Sequence, residues 1–411
     1  MSKIPSIAMI PSAFKSGKVY SVLPTDGSGD LNFARASEAT RVNKDGLIET
    51  VGSNVPRIDY PMIDGVVSGC PSLLLEPQST NLITYSEAFD NAYWIKTRSS
   101  ITSNSVTAPN GTLTADKLVD NTVDDAHRFI GTGFSTTSVN YTASIFVKKD
   151  EIKYAYLRVN DSGGTYISGT FDLQDGIVTQ EENGDLSIEN FGNGWYRIIG
   201  TAISNANGLS YLELRTSKTP IYSNYIGNGS DGLYIWGAQL EQGSYATSYI
   251  PTSGATATRN AETASKSGLS SYINSSEGVL YAEVDFSKSG FETLSISKSM
   301  NNRVVIARAF PSPNVIRAIV VSNGTVNTQV DYSVQNDGFH KVAITYNQST
   351  FSLYVNGVLI GTEAMTNFSE NMDSVSLTQY IGSVNPFYGK VKDLRVYNQA
   401  LTDTELIALT S

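Results

Sequence analysis

The sequence holds one cysteine, Cys70, and two histidines, His127 and His340, among 411 residues. A single thiol excludes an intrachain disulfide and a cysteine-built zinc site. Cys70, in CPSLLLEP, is expected to be a small buried apolar residue. A Ser–His–Asp arrangement could draw only on His127 and His340, and neither neighbourhood carries a G-x-S-x-G elbow. Charged residues make up 17 % of the chain, the formal net charge is −10, and no basic run occurs. Nucleic acid and membrane insertion are therefore not expected partners, because phosphate surfaces call for a basic face. No apolar run is long enough to cross a membrane as a helix. The opening MSKIPSIAMIPSAFKSGK is broken by Pro5 and Pro11 and makes a poor secretion signal. The expectation is a soluble protein made in a cytosol.

What is abundant is Gly, Ser, Thr, Asn and Tyr, the mixture of short strands joined by tight turns. In HKVAITYNQSTFSLYVNGVLIG, Val342, Ile344 and Tyr346 share one face of a strand, and Phe351, Leu353 and Val355 repeat the pattern. Asn356-Gly357 supplies the positive-φ pair of a type I′ turn. The opposite face, with Ala343 and Tyr354, is expected to meet solvent. Similar runs recur from Tyr85 onward, among them YTASIFVKK, GWYRIIGTAIS and LYIWGAQLE, at the spacing of a sandwich or jelly roll. The fold class is all-β: two antiparallel β-sandwich or jelly-roll domains preceded by an N-terminal attachment region. The expected divisions are 1–80, 81–255 and 256–411, with PTSGATATRNAETASKSG as the second joint. ATRN in that joint echoes ATRVN at residues 39–43. One helix is expected at the end, with Thr402 as N-cap and Glu405 three residues on.

The last third of the chain resembles the laminin-G-like and concanavalin-A-like lectin/glucanase superfamily. GFHKVAITYNQSTFSLYVNGVLIG, YIGS and GKVKDLRVYNQALTDTELIAL carry the resemblance. The middle region, with TNLITYSEAFDNAYWIK and LYIWGAQLEQGSYATSYIPT, is similar to carbohydrate-binding-module jelly rolls. That region and FARASEATRVNKDGLIE…CPSLLLEPQSTNLI resemble bacteriophage appendage proteins. The resemblance implies a virion protein synthesised in the host cytoplasm, a tail fibre or receptor-binding component. Its implied partners are host cell-surface polysaccharide and other tail or head proteins, with a homotrimer as the oligomer. Residues 1–76 support self-association from another side, because SIAMI and SLLLE are apolar while periodic strands are few. An architectural decoration protein and a capsule-degrading glycanase are the alternatives.

Glycoside hydrolysis needs two carboxylates across the bond. YAEVDFSK offers Glu283 and Asp285 on one strand face, but Ser287 and Lys288 stand where the glucanase branch places a second Glu. No catalytic residue is assigned. Sugar binding would use aromatic rings: Trp94, Trp195 and Trp236 by residue type, although each sits in a strand pattern that suits core packing. Tyr222, Tyr225, Tyr245 and Phe387 are equal loop candidates. For metal, similar modules often hold a structural calcium near the start of the jelly roll, where Glu87 and Asp90 stand. DGSGD at Asp26–Asp30 and the group Asp120, Asp124 and Asp125 are further oxygen-rich loops, and loop polarity is the competing reading for each.

Overall fold

The computed structural model describes residues 3–286, 290–309, 314–326, 329–383 and 385–411. The chain forms two β-sandwiches, and their sheets do not follow chain order. One sandwich has an eight-stranded sheet running Val358–Ala364, Thr350–Val355, His340–Tyr346, Gly278–Phe286, Gly389–Tyr397, Ser72–Leu75, Arg57–Asp59. Ile7–Met9 joins the same edge of Gly389–Tyr397, end to end with Ser72–Leu75. Its ten-stranded partner sheet likewise mixes Leu31–Ala34 with Thr263–Ser267, Ser374–Ser376 and Glu292–Ser299. Ile7, Met9, Phe33, Leu73 and Leu75 share one core with Leu280, Val284, Ile344, Leu353 and Val396.

The expected separate region 1–80 is thus not how these residues fold. Its strands are only two to four residues long, too little for a core of their own, and Ile7–Met9, Leu31–Ala34, Arg57–Asp59 and Ser72–Leu75 extend the two sheets of the C-terminal sandwich, where ladder hydrogen bonds and apolar contacts are waiting. The apolar runs SIAMI and SLLLE are consumed there, so they no longer argue for self-association.

The other sandwich is an insertion. Ser79–Asn81 leads into it and Ala257–Arg259 leads out, paired antiparallel with Asn81 opposite Ala257. Between them lie two six-stranded sheets that enclose Phe129, Ile145, Leu157, Phe171, Leu214 and Ile235. Trp94, Trp195 and Trp236 are all buried. Trp94 donates its indole N–H to the Tyr85 carbonyl at 2.9 Å and packs edge-on against Phe129.

A buried ionic knot ties the insertion to its host. The Glu262 carboxylate accepts from Arg35 Nη1 at 2.7 Å, Arg57 Nε at 2.9 Å, Arg57 Nη2 and the Glu76 amide. Arg57 also reaches Glu76 at 2.7 Å, and Arg259 stands 3.0 Å from the same carboxylate. From the inserted side, Ser248 donates both its amide and its hydroxyl to Glu76. The echo ATRN/ATRVN is not a structural repeat, since Arg259 is buried in this knot and Arg41 makes a partly exposed pair with Glu49.

The Asn356-Gly357 turn is as expected, with φ of 49° and 81°. The outer face of its hairpin is not solvent-facing. The helix Asp403–Thr410 lies over it, burying Ala343 and Tyr354 against Leu406, and Tyr354 Oη donates to Asp403 at 2.8 Å. The capping box at Thr402 and Glu405 is present. Cys70, by contrast, is exposed, because it sits in the loop that precedes Ser72–Leu75 and not in the strand.

Candidate functional site

The two sandwiches leave a cleft of about 680 Å³ between them. One wall is the outer face of a jelly-roll sheet. The strand Asp185–Asn190 alternates there, turning Asp185, Ser187 and Glu189 outward while Leu186 and Ile188 pack on the core. Phe191 and the loop around Tyr245 extend this wall. The other wall comes from the host sandwich: Arg41, Asp59, Asp285, Phe286, Asp337 and Lys390.

The cleft couples flat apolar surface to carboxylates. Phe191, Tyr245 and Phe286 are each only half-buried. Phe286 is propped from behind by the fully buried Phe387, with ring centroids 5.4 Å apart. Lys390 pairs with Asp59 at 3.0 Å, while Asp59 also accepts from the Val42 amide at 2.9 Å. Burial alone would lower the Lys390 amine, but Asp59, Asp285 and Glu76 outweigh it and hold its pKa above the ordinary value. Arg197 is locked at the base by the Thr247 carbonyl and Ser144 Oγ, both at 2.9 Å. Rings beside fixed hydrogen-bonding groups are what a saccharide needs, since a pyranose has an apolar C–H face and a rim of hydroxyls.

Of the five glycan-binding candidates, Tyr245 alone lines this cleft. Trp94 and Phe387 are shut off from solvent by core packing. Tyr225 packs on His127, with centroids 4.6 Å apart, and exchanges a hydrogen bond with Thr216. Tyr222 lies elsewhere, over Tyr156 on the opposite jelly-roll sheet. Sequence reasoning missed Phe191, Phe286, Asp185, Glu189 and Lys390. The alternation in DLSIEN marked Asp185 and Glu189 as outward, but nothing local indicated which surface would face them.

Glu87 accepts from Tyr249 Oη at 2.8 Å, and burial raises its carboxyl above the usual range. Asp90 is exposed. Among the described residues no group of three or more His, Cys, Asp or Glu side chains could hold a metal ion. Asp26 and Asp30 serve local turns, accepting from Ser28 and Ser21 respectively. Asp120 takes the Asn228 and Gly229 amides, and Asp125 pairs with Arg98. Asp285 lines the cleft but Glu283 does not; Glu283 lies across from Asp393 and Lys341. Ser287 and Lys288 lie outside the described residues.

Residues 286–407, less than a third of the chain, match a laminin G-type family model of the Concanavalin A-like lectin/glucanases superfamily. The C-terminal sandwich is thus a concanavalin A-like, laminin G-like domain. No curated protein sequence matches the chain. Solved structures similar to it include the CBM40 of Ruminococcus gnavus IT-sialidase, 22 % identical over 34 % of this chain and 84 % of that one, with a TM-score of 0.29. Domain 4 of AbnA, a GH43 extracellular arabinanase from Geobacillus stearothermophilus in complex with arabinotriose, is 17 % identical. It covers 41 % of this chain and 83 % of its own, at a TM-score of 0.30. Domains LG4-5 of the mouse laminin alpha1 chain are 12 % identical over 69 % and 92 %, with a TM-score of 0.25. At these TM-scores the likeness bears on neither ligand nor activity.

Proposed function

We propose that the protein is a non-enzymatic glycan-binding appendage of a bacteriophage virion, and that the cleft between its sandwiches holds a short stretch of host surface polysaccharide. The observation that carries this reading is the joint placement of Phe191, Tyr245 and Phe286 beside the carboxylates Asp185, Glu189 and Asp59 in one cleft. The superfamily match of the domain that supplies Phe286 supports it. The virion setting, the association with other tail or head proteins and the homotrimer rest on the resemblance of the N-terminal and middle segments alone.

Adsorption to host cells and a glycan array, each with the full-length protein and with Tyr245→Ala, test the proposal. The expected result is saccharide binding that the substitution weakens by about tenfold, the loss of one stacked ring being worth about 1–1.5 kcal/mol. Absence of binding to every glycan and to host cells would favour the architectural reading. Release of reducing ends from a bound polysaccharide would show a glycanase.

A further inference from the structure

The outer face of the second jelly-roll sheet, away from the cleft, carries an unusual concentration of cations for so acidic a chain. Register places Ile130, Glu213 and Arg158 in one cross-strand row and Arg128, Arg215 and Tyr156 in the next. Side chains two residues apart on a strand share a face, so both rows point the same way, outward from the core that Phe129, Leu157 and Leu214 fill. Three guanidiniums therefore surround one carboxylate. Arg215 takes both oxygens of Glu213, at 2.8 and 3.0 Å. Glu213 is almost fully buried beneath it.

Arg128 and Arg158 reach the same carboxylate only at 3.1 and 3.7 Å, after its best acceptor positions are taken. Their side chains remain 28 % and 30 % exposed. Arg158 is held from behind by Thr165 Oγ1, which accepts from Nε and Nη2. Beside them Tyr222 and Tyr156 stack at 4.4 Å, with the Arg215 guanidinium 4.9 Å from the Tyr222 centroid. The other nearby carboxylates are engaged: Glu182 with Tyr156 Oη and Ser168 Oγ, and Asp125 with Arg98. The two rows thus set three guanidiniums against the buried acid Glu213, with the Glu182 carboxylate at their edge, next to an aromatic platform.

We propose that this face is a second binding site, selective for a saccharide bearing a carboxylate, with Arg128 and Arg158 gripping the carboxylate and Tyr222 stacking on the ring. Guanidinium–carboxylate pairs are planar and bidentate, which suits two partly exposed forks flanking one point. Tyr222 then has a role separate from the cleft, and the site does not depend on the cleft being one.

The test is titration calorimetry of the full-length protein with trigalacturonate, its fully methyl-esterified form and inorganic phosphate. The acid trisaccharide is expected to bind, with affinity falling as salt rises. Methyl esterification, Arg158→Gln and Arg128→Gln should each weaken binding by about tenfold, in line with one charge-assisted contact. Tyr245→Ala should leave it unchanged, and unaltered thermal unfolding of the arginine variants would show that the fold survives. Equal affinity for the esterified sugar, equal affinity for phosphate, no binding at millimolar acid trisaccharide, or full binding by the double arginine variant would each overturn the proposal.

Discussion

Replacing Glu262 by glutamine should be among the most damaging single changes in the chain, although it alters neither size nor shape. Glu262 is fully buried and accepts four hydrogen bonds, three of them from Arg35 and Arg57. Glutamine keeps one acceptor oxygen and turns an N–H₂ toward groups that are themselves donors. Arg35 then loses its carboxylate partner while its guanidinium stays buried, and Arg57 keeps one carboxylate, Glu76, beside the Thr40 carbonyl and Ser248 Oγ. Breaking a buried pair from one side costs about 3–5 kcal/mol, because the remaining charge is left desolvated and uncompensated. That is a large share of the roughly 5–15 kcal/mol that holds a domain folded. The knot joins strands of the host sandwich to Ser248 of the insertion, so its loss should also weaken their coupling. In calorimetry the variant is expected to unfold earlier, with the transition broadened or split. The exposed pair Lys298–Asp373 supplies the contrast: Asp373→Asn should cost under about 1 kcal/mol. A Glu262→Gln protein within about 1 kcal/mol of the parent would show that the carboxylate is not what holds the two buried guanidiniums.

Acid should loosen the same knot. Burial pushes the Glu76 carboxyl up, but Arg259 and Arg57 beside it, together with Ser248, hold it well below its ordinary 4.5. A depressed folded pKa contributes stability that is complete above about pH 4.5 and drains away as pH falls below it, which equilibrium unfolding between pH 5 and 2 would reveal. Asp116 works in the opposite sense. Burial raises it from 3.8 to about 6, so its contribution is greatest below pH 4 and shrinks as pH rises to 6; Asp116→Asn should remove that slope from the stability profile. Gly357→Val should destabilise by about 1–3 kcal/mol, since φ is 81° there and a new Cβ would stand 2.9 Å from Ser411 Oγ, and a thermal scan suffices to check it. A fragment of residues 256–411 is expected to aggregate, lacking the strands that cover Gly389–Tyr397 and Thr263–Ser267. Residues 1–81 joined by a short turn to 257–411 should give a monomeric fold with a sharp transition, as judged by light scattering and circular dichroism.

The local devices were legible because they depend on near neighbours: period-two alternation in VAITY and FSLYV, the positive-φ pair Asn356-Gly357, and the capping box at Thr402. Long-range pairing was not. Nothing in SLLLE says that Leu73 will sit opposite Val391, more than three hundred residues on, because ladder hydrogen bonds carry no sequence label. The same limit hid the cleft, whose walls come from Asp185–Phe191, Tyr245 and Phe286, segments brought together only by the insertion. Tyr245 was within reach as a loop aromatic. Trp94 is packed as its strand pattern suggests, whereas Phe387 reads as a loop aromatic and is buried all the same, because a loop position does not tell a displayed ring from a packed one. The knot was hidden for a related reason: Arg35, Arg57, Glu76, Arg259 and Glu262 are scattered along the chain, and no local spacing pairs them until the strands bearing them converge.

Hydrogen exchange of the full-length chain, with and without the glycan that an array or host-cell extract shows to bind best, tests the account most directly. The reading predicts slowed exchange in 185–191, 244–249, 285–286 and 389–390, the segments that line the cleft, and loss of that protection in Tyr245→Ala. Protection that leaves all four segments unchanged, or that survives the substitution intact, would contradict it.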